Sequence, residues 1–451
     1  MQLDHFLAKT GNRIRMRLDF AADPPEWGLK AKQAAFSNSS FLDATVGTAQ
    51  NESGFHYFPT LLQELQMLSS EETLAYATMR GVNTFRTAWK ADTINSYHPS
   101  LHEKAVNLTS DPVPVGGGLT GALFTMGQLF VDQDTHLLAP SSRWGNVDNC
   151  FGISLDATIH SFDLFSQDGH FTFDYLRHTI TEVAPSTSRL IIYLNFPNNP
   201  TGYMPSFKDV EELQGILKQV STPTLVLLDD AYEGYVYPDE ALPSHERPIP
   251  HSIFPYLLGL NSDVLPIKVD GPTKRFCAYG TRLGVISLGY HSEEAKETDL
   301  RLMENGLDVC KTITKAARTH CSSAPRGIQE ALGKILSDKK KHTAILEEQK
   351  TFHSMLERRY YCFLRALQAL DPHPILQPLH CNSGFFGFFL VQDLSATTLA
   401  KQLLDKGLGV VPFMDKQTGF NGIRFAFCSL LEKDIPRAIE FLWRVTNEIH
   451  S

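Results

Sequence analysis

Short apolar runs alternate with longer amphipathic segments through the middle of the chain. Four runs of five or six residues, rich in β-branched and aliphatic side chains, are typical of buried strands: 189–194, 224–228, 264–269 and 283–288. Continuous apolar strands of this kind predict a mostly parallel sheet with helices on both faces. Between the first two runs, residues 205–220 place apolar side chains at helical spacing and predict the helix that connects two parallel strands.

The pattern changes in the last quarter of the chain. A long charged segment at about 342–370 predicts a helix, and it is followed by two predicted strands at 384–391 and 423–427 and by a closing helix near 434–449. This change predicts a second, smaller α+β domain. Residues 239–255 are rich in proline and show little periodicity, so they predict an irregular loop within the first domain.

Composition and charge exclude several classes of function. The chain has 451 residues and a formal net charge of −9, with 42% hydrophobic and 20% charged residues, as in an ordinary globular protein. Because it has no concentrated basic patch, we expect no nucleic-acid partner. No apolar run approaches the roughly 18 residues that cross a bilayer, and we expect no membrane partner. The cysteines lack zinc-site spacing, which predicts no metal, and the first 20 residues lack a secretory or transit pattern, so we expect a cytoplasmic location.

Polar residues follow three of the predicted strands. Asn199 comes after the first run, in an Asn-Pro-Thr-Gly segment, and Asp229 and Tyr232 come directly after the second. Lys274 and Arg282 flank the turn after the third. Open α/β sheets bind ligands at the carboxyl ends of their strands, although Asn-Pro-Thr-Gly is also an ordinary turn sequence. A partly buried lysine can lose its proton and act as nucleophile or base, whereas an always-charged arginine suits a phosphate.

A glycine-rich turn precedes a predicted helix at Thr120. The pattern Gly116-x-Gly118-x-x-Gly121 fits the dinucleotide fingerprint, but two prolines precede it and no acidic residue ends a new strand about 20 residues later. Two interpretations remain open at this point. The helix start offers backbone N–H groups and a hydroxyl to a phosphate, or the glycines form a flexible turn before a core helix.

Taken together, these segments resemble the fold-type I, pyridoxal-phosphate-dependent aminotransferases, in particular the class I branch with the aspartate and aromatic aminotransferases. The matching positions extend over nearly the whole chain: Gly47, Tyr76, 120–123, 144–146, 199–202, 229–232, Lys274, Arg282, Arg318 and Arg424. The resemblance implies an aspartate aminotransferase-like α/β fold. Its large cofactor-binding domain, with a mostly parallel sheet flanked by helices, would span 57–344, and its small α+β domain would combine 1–56 with 345–451.

The resemblance also implies roles around the cofactor ring of pyridoxal 5'-phosphate. Lys274 would form a Schiff base with the cofactor aldehyde and then move the α-proton of the substrate. Asp229 would pair with the pyridine nitrogen, which keeps the ring an electron sink. Asn199 and Tyr232 would donate to the phenolate oxygen, and Trp144 would stack on the ring.

The cofactor phosphate has its own implied set of partners. Thr120, Thr273 and Arg282 would hold it together with backbone N–H groups near Leu119. Tyr76 matches a tyrosine that reaches the phosphate of the neighbouring subunit. The resemblance therefore implies a homodimer with shared active sites.

Substrate recognition follows from the same resemblance. Arg424 would bind the substrate α-carboxylate with help from Gly47 and Asn199. Arg318 matches the residue that reaches a distal carboxylate bound in the neighbouring subunit, or it is a solvated surface arginine. Phe386 would form a wall for aromatic or aliphatic side chains, or it is a core phenylalanine.

The chain departs from the family pattern at three kinds of position. Gly118 and Gly271 stand where the family has phosphate-binding serines, and Val147 stands where the aspartate branch has a histidine that supports the carboxylate of the pyridine nitrogen. Pro272 lies close to the implied catalytic lysine. These changes indicate a divergent subgroup.

The expected activity is transfer of the amino group of an L-amino acid, aspartate or glutamate or an aromatic one, to a 2-keto acid. Two alternatives stay open. The same cofactor and fold also support β-lyase, decarboxylase or oxidase chemistry, because one carbanion feeds all these reactions. The second alternative is a catalytically silent protein that binds the cofactor and interacts with another protein.

Overall fold

The computed structural model describes residues 8–16, 24–301 and 308–450. Its strands are β1 Leu42–Asp43, β2 Gln50–Asn51, β3 Gly54–Phe55, β4 Val113–Gly116, β5 His136–Pro140, β6 Thr158–Phe162, β7 Leu190–Asn195, β8 Thr224–Asp229, β9 Val264–Asp270, β10 Leu283–Leu288, β11 Leu376–Pro378, β12 Gly387–Val391, β13 Leu408–Gly409, β14 Val411–Met414 and β15 Asn421–Phe425. Its α-helices are α1 Lys9–Met16, α2 Pro24–Ser37, α3 Pro59–Gln66, α4 Ser70–Leu74, α5 Asn83–Asn95, α6 His102–Leu108, α7 Gly118–Phe130, α8 Asp174–Val183, α9 Phe207–Lys218, α10 Phe254–Leu257, α11 Pro272–Arg275, α12 Glu293–Arg301, α13 Val309–Cys321, α14 Arg326–Ser337, α15 Lys339–Gln368, α16 Ala396–Lys406 and α17 Ile435–His450.

A seven-stranded sheet forms the centre of the molecule, in the order β4-β10-β9-β8-β7-β5-β6. The strands from β9 to β6 are parallel to their neighbours, whereas β10 runs antiparallel to both β9 and β4. The four apolar runs form β7, β8, β9 and β10. The prediction of a mostly parallel α/β sheet is therefore confirmed.

The sheet is covered on both faces, which explains the continuous apolar runs. Every residue of β7 and β8 is buried. Alternate residues of β7 enter two separate cores, because successive side chains of a strand point to opposite faces. Ile191 and Tyr193 lie on the face that packs against α7, whereas Ile192 and Leu194 lie on the face that packs against α9.

The predicted connecting helix is α9. It begins after Ser206, whose side chain accepts a hydrogen bond from the Asp209 backbone while the Asp209 carboxylate accepts one from the Ser206 backbone. Its buried face is made of Val210, Leu213, Ile216 and Leu217. The periodicity in the sequence thus corresponds to the face that lies on the sheet.

A second, four-stranded antiparallel sheet, β11-β12-β15-β14, lies in the C-terminal part of the chain. The long helix α15 begins at Lys339 after an Asp338 cap, three residues earlier than predicted. β1 pairs in parallel with β13, Leu42 opposite Leu408, so the N-terminal segment joins elements from the other end of the chain. The boundaries 57–344, 1–56 and 345–451 stay a prediction.

None of the helices in the described ranges is long and apolar enough to cross a membrane. Over the same ranges, no group of three or more His, Cys, Asp and Glu side chains is arranged to hold a metal ion.

Candidate active site

A cavity of about 550 Å³ lies where β7, β8 and β9 end, beside the start of α7 and strand β15. Residues far apart in the sequence meet there. Of the residues that the sequence singled out, the cavity is lined by Gly47, Leu119, Thr120, Trp144, Asn199, Asp229, Tyr232, Thr273, Lys274, Arg282 and Arg424.

Lys274 lies in the short helix α11, directly after β9. Its Nζ donates a hydrogen bond to the Gly47 carbonyl oxygen at 2.5 Å and lies 5.0 Å from the centre of the Tyr279 ring. Burial lowers the pKa of this amine to about 8. A substantial fraction of the amine is therefore neutral near pH 8, the form that acts as nucleophile or base.

Asp229 ends β8 with its carboxylate buried. Its Oδ2 accepts a hydrogen bond from the Tyr193 hydroxyl at 2.9 Å, and its Oδ1 accepts one from the Ala231 backbone N–H at 3.1 Å. Burial raises the pKa of this carboxyl to about 6. A carboxylate that is costly to ionise gains most from a cation, such as a protonated pyridine nitrogen.

Tyr193 was not singled out from the sequence. It lies in β7 on the same face as Asp229, because residues 193 and 195 of β7 are in register with residues 227 and 229 of β8. Val147 is fully buried within the apolar core on this face of the sheet. Val147 stands at the position where the resemblance places the histidine of the aspartate branch, and here the Tyr193 hydroxyl on the neighbouring strand supplies a donor to the carboxylate. The one sequence signal was a tyrosine within an otherwise aliphatic run.

The start of α7 supplies donors for an anion. Gly117 precedes the helix with φ +85°, and the first N–H groups of a helix, here those near Leu119 and Thr120, have no partner inside it. The Oγ1 of Thr273 is buried and has no hydrogen-bond partner within the described part of the chain. Arg282 is exposed and donates to the Gly117 carbonyl oxygen at 2.8 Å.

Sterics explain the two missing serines. At Gly118, φ is +67° and an added Cβ would lie 2.7 Å from Nη2 of Arg282. At Gly271, an added Cβ would lie 2.7 Å from the carbonyl oxygen of Leu283. The positive φ disfavours a side chain at Gly118, and a backbone oxygen occupies the space of a Cβ at Gly271. The remaining candidate donors to a phosphate are Thr120, Thr273, Arg282 and the N–H groups at the start of α7.

Arg424 lies on β15 at the opposite side of the cavity. It donates to Asn199 Oδ1 at 2.9 Å and to the Thr45 carbonyl oxygen at 2.6 Å, while its Nε has no partner in the described ranges. Burial lowers its pKa to about 10, so the guanidinium stays charged at neutral pH. The Phe386 ring stacks 4.2 Å from it. A carboxylate would neutralise this buried charge.

Three residues of the resemblance lie outside the cavity. Phe386 is buried under Arg424 and does not line it; its role as a substrate wall stays a prediction. Tyr76 is 84% exposed and borders a separate cavity of about 340 Å³ with Gly116 and Gly117. Arg318 is exposed, with Nη1 3.3 Å from the Met79 sulfur. Their action across a dimer interface stays a prediction.

The structure also adds residues that the sequence did not indicate. Asn195 lines the cavity, and its Nδ2 donates to the Asp229 carbonyl oxygen at 2.7 Å while its Oδ1 accepts from the Asn199 backbone. Helix α2 forms a further wall. No local sequence pattern distinguishes Asn195 or the residues of α2 from ordinary turn or helix residues. Asn146, which belongs to the matching segment 144–146, lines the cavity next to Thr120.

The polar groups of this cavity fit pyridoxal phosphate. A buried carboxylate with a raised pKa, an orphaned threonine hydroxyl, a free helix start and an amine with a lowered pKa all lie around one space. The ring nitrogen of the cofactor would be a partner for the carboxylate, and its aldehyde for the amine. Its phosphate would be a partner for the threonine hydroxyl and the helix start.

The comparison with protein families agrees with this geometry. Residues 43–442 match the family described as aminotransferase class I and II. The chain belongs to this family. It is therefore an aminotransferase that depends on pyridoxal phosphate, the cofactor of class I and II aminotransferases, and the fold-type I resemblance is confirmed. A search of curated proteins by sequence found no significant match.

Solved structures of aminotransferases share the fold. An aminotransferase from Anaerococcus prevotii is 20% identical with a TM-score of 0.79, over 94% of this chain and 96% of that one. A mutant of Thermus thermophilus aspartate aminotransferase is 20% identical with a TM-score of 0.72, over 97% and 99%. The Pyrococcus horikoshii kynurenine aminotransferase is 16% identical with a TM-score of 0.73, over 100% and 98%. At these identities, the likeness shows the fold of this aminotransferase and not its substrate.

Proposed function

We propose that this aminotransferase moves the amino group of an L-amino acid to a 2-keto acid, with Lys274 as the base that carries the proton at the substrate α-carbon. The observation that carries the proposal is the Lys274 amine, whose pKa is about 8, in the same cavity as the buried carboxylate of Asp229 and the buried guanidinium of Arg424. Bound pyridoxal phosphate supplies the electron sink that makes the α-proton acidic.

Arg424 orients the substrate. Its free Nε and its charge, buried in a low-dielectric wall, favour a carboxylate at this point of the cavity. Asn199 holds the guanidinium from one side. Lys274 would then act beside the α-carbon of the bound amino acid, where its amine can hold the cofactor and take or return a proton.

Asp229 and Tyr232 act on the cofactor ring. Asp229 would hold the protonated ring nitrogen, and the Tyr193 hydroxyl and the Ala231 backbone N–H stabilise its anionic form. Tyr232 is buried beside Lys274, its ring centre 5.6 Å from Nζ, and burial raises the pKa of its hydroxyl. The phenol therefore stays protonated and can donate a hydrogen bond.

We infer that the active unit is a homodimer. Met67, Leu74 and Tyr76 are 73%, 82% and 84% exposed on one short segment, a concentration of apolar surface that favours burial against a second copy. In such a dimer, Tyr76 would reach the phosphate of the partner's site. Mixing a Lys274→Ala variant with a Tyr76→Phe variant should restore activity in the hybrid, because one of its two sites is then intact. Hybrids without regained activity would contradict shared sites.

The reaction itself is tested by following an isotope-labelled amino group. Purified protein with pyridoxal phosphate, a labelled amino donor and a 2-keto acid should yield the labelled amino acid of the acceptor. The rate should fall by about a thousandfold or more in Lys274→Ala, which loses both the nucleophile and the base. It should not change in the exposed control Lys406→Ala. Release of pyruvate and ammonia from a β-substituted amino acid, without any keto-acid acceptor, would instead show β-elimination. Release of carbon dioxide would show decarboxylation.

A further inference from the structure

Helix α2 presents one face to the active-site cavity. Pro25, Gly28, Leu29 and Lys32 all line it, and their spacing of three, four and seven residues places them on one side of a helix. Together with residues 45–48, this face forms the part of the wall that comes from the N-terminal segment. Lys32 is its only charged residue and also borders a second, larger cavity next to the first.

The opposite side of α2 anchors the helix. Trp27 and Ala31 are buried, and Ala31 packs against Gly409 of β13, the strand that pairs with β1. Because this side is fixed in the core, the cavity side of α2 has a defined position. The Lys32 Cα is thus held at the cavity while its flexible stem remains free to move.

Four cationic side chains line the described part of the cavity, and Lys32 is the one for which the proposed reaction supplies no binding partner. Within the described ranges, its ammonium makes no hydrogen bond and no ion pair, whereas the neighbouring Lys30 lies 2.8 Å from Glu26. The nearby Asp43 already accepts from the Thr45 backbone at 2.9 Å and from its hydroxyl at 2.5 Å. The other cations, Lys274, Arg282 and Arg424, serve the reaction, the phosphate and the α-carboxylate.

We propose that Lys32 binds a distal carboxylate of the substrate, so that the protein prefers amino acids whose side chain ends in an anion. The inference rests on the proposed function, because Arg424 must hold the α-carboxylate and leave the side chain to extend toward α2. A lysine ammonium on a four-carbon stem can follow side chains of different length, which a rigid guanidinium fork does less well. The site therefore suits a series of dicarboxylic amino acids.

The test compares matched substrates on the holoenzyme. Half-reaction rates are measured for aspartate, glutamate and 2-aminoadipate and for the neutral alanine, norvaline and phenylalanine. Lys32→Met should lower kcat/KM for the dicarboxylic series about fivefold, because it removes one solvent-accessible ion pair. Lys32→Glu should lower kcat/KM for this series at least about tenfold, because the new carboxylate repels that of the substrate. Neutral substrates should change less than about twofold. Lys30→Glu is the control on the same helix, and it should leave both series unchanged.

Binding supplies a second readout that does not depend on turnover. Calorimetric titration with glutarate and with butyrate should show that Lys32→Glu weakens glutarate and leaves butyrate unchanged. Equal losses for both compounds, or a dicarboxylate preference that is lost in Arg318→Glu and kept in Lys32→Glu, would overturn the proposal. A wild type that responds only to phenylalanine would also overturn it. No amino transfer with any amino acid would refute the proposed function instead, while the glutarate titration would still report on Lys32.

Discussion

Replacement of Tyr193 by phenylalanine tests how this chain stabilises the Asp229 carboxylate. The variant removes only a hydroxyl, and the ring that fills the core remains. The lost interaction is a fully buried hydrogen bond of 2.9 Å from the hydroxyl to Asp229 Oδ2. A hydrogen bond to a charged group contributes about 1.5–3 kcal/mol. At about 1.36 kcal/mol per pKa unit, the pKa of Asp229 in the apoprotein should rise by about one to two units from its value of about 6.

The consequence is a pH-dependent loss of cofactor affinity. The protonated ring nitrogen binds the ionised carboxylate, so a protein with protonated Asp229 must first lose that proton. Below about pH 6, Asp229 is protonated in both proteins, and the dissociation constant of pyridoxal phosphate should be about tenfold to a hundredfold higher in the variant. Above about pH 9, Asp229 is ionised in both and the two constants should converge.

The assay is an absorbance titration of apoprotein with pyridoxal phosphate between about pH 5.5 and pH 9. Tyr203→Phe is the control, since it removes a hydroxyl that donates to a different carboxylate, Asp209, at 3.0 Å. It should leave the affinity unchanged at every pH. A loss in Tyr193→Phe of the same size across the whole pH range would refute the reasoning, because it would indicate a structural defect and no change in the Asp229 pKa.

Three further predictions concern the lysines and a glycine. Covalent capture of pyridoxal phosphate by the apoprotein, trapped with borohydride, should be half-maximal near pH 8 and level off above about pH 9, because burial lowers the pKa of the Lys274 amine to about 8. The buried Lys268 Nζ lies 2.5 Å from Asp230 and 2.6 Å from Glu233. Lys268→Met should lower the free energy of unfolding in urea by about 3–5 kcal/mol, since it leaves both carboxylates buried without their cation. Gly271→Ser should lower it by about 1–3 kcal/mol without improving cofactor affinity, because a backbone oxygen occupies the space of the added Cβ.

Each of these has a control. A capture rate that keeps rising toward pH 10.5, the ordinary pKa of a lysine, would contradict the lowered pKa of Lys274. Lys406→Met removes an exposed ion pair and should cost less than about 1 kcal/mol, so an equal cost for Lys268→Met would be unexpected. Gly215→Ala adds a Cβ where nothing lies within 4 Å, and its unfolding energy should not fall. A Gly271→Ser protein with tighter cofactor binding would disprove the steric argument.

The sequence by itself determined much of the central sheet. Buried parallel strands must be apolar on both faces, so the four apolar runs indicated β7 to β10 without any long-range information. It also placed Asp229 and Lys274 correctly at the ends of strands, because a charge next to an apolar strand is a local feature of the chain. The cofactor and the family followed from the conjunction of such short segments.

Only the tertiary structure decided which distant residues touch. The hydrogen bond from Tyr193 to Asp229 depends on the register of β7 against β8, and a shift of one residue would turn the tyrosine to the other face. Helix α2 lines the cavity because β1 pairs with β13, a contact between residues more than 360 positions apart. No local pattern encodes such contacts, because they arise from the packing of whole elements. For that reason, the hydrogen bond that supports the Asp229 carboxylate and the part of the cavity wall formed by α2 could be read only from the folded chain.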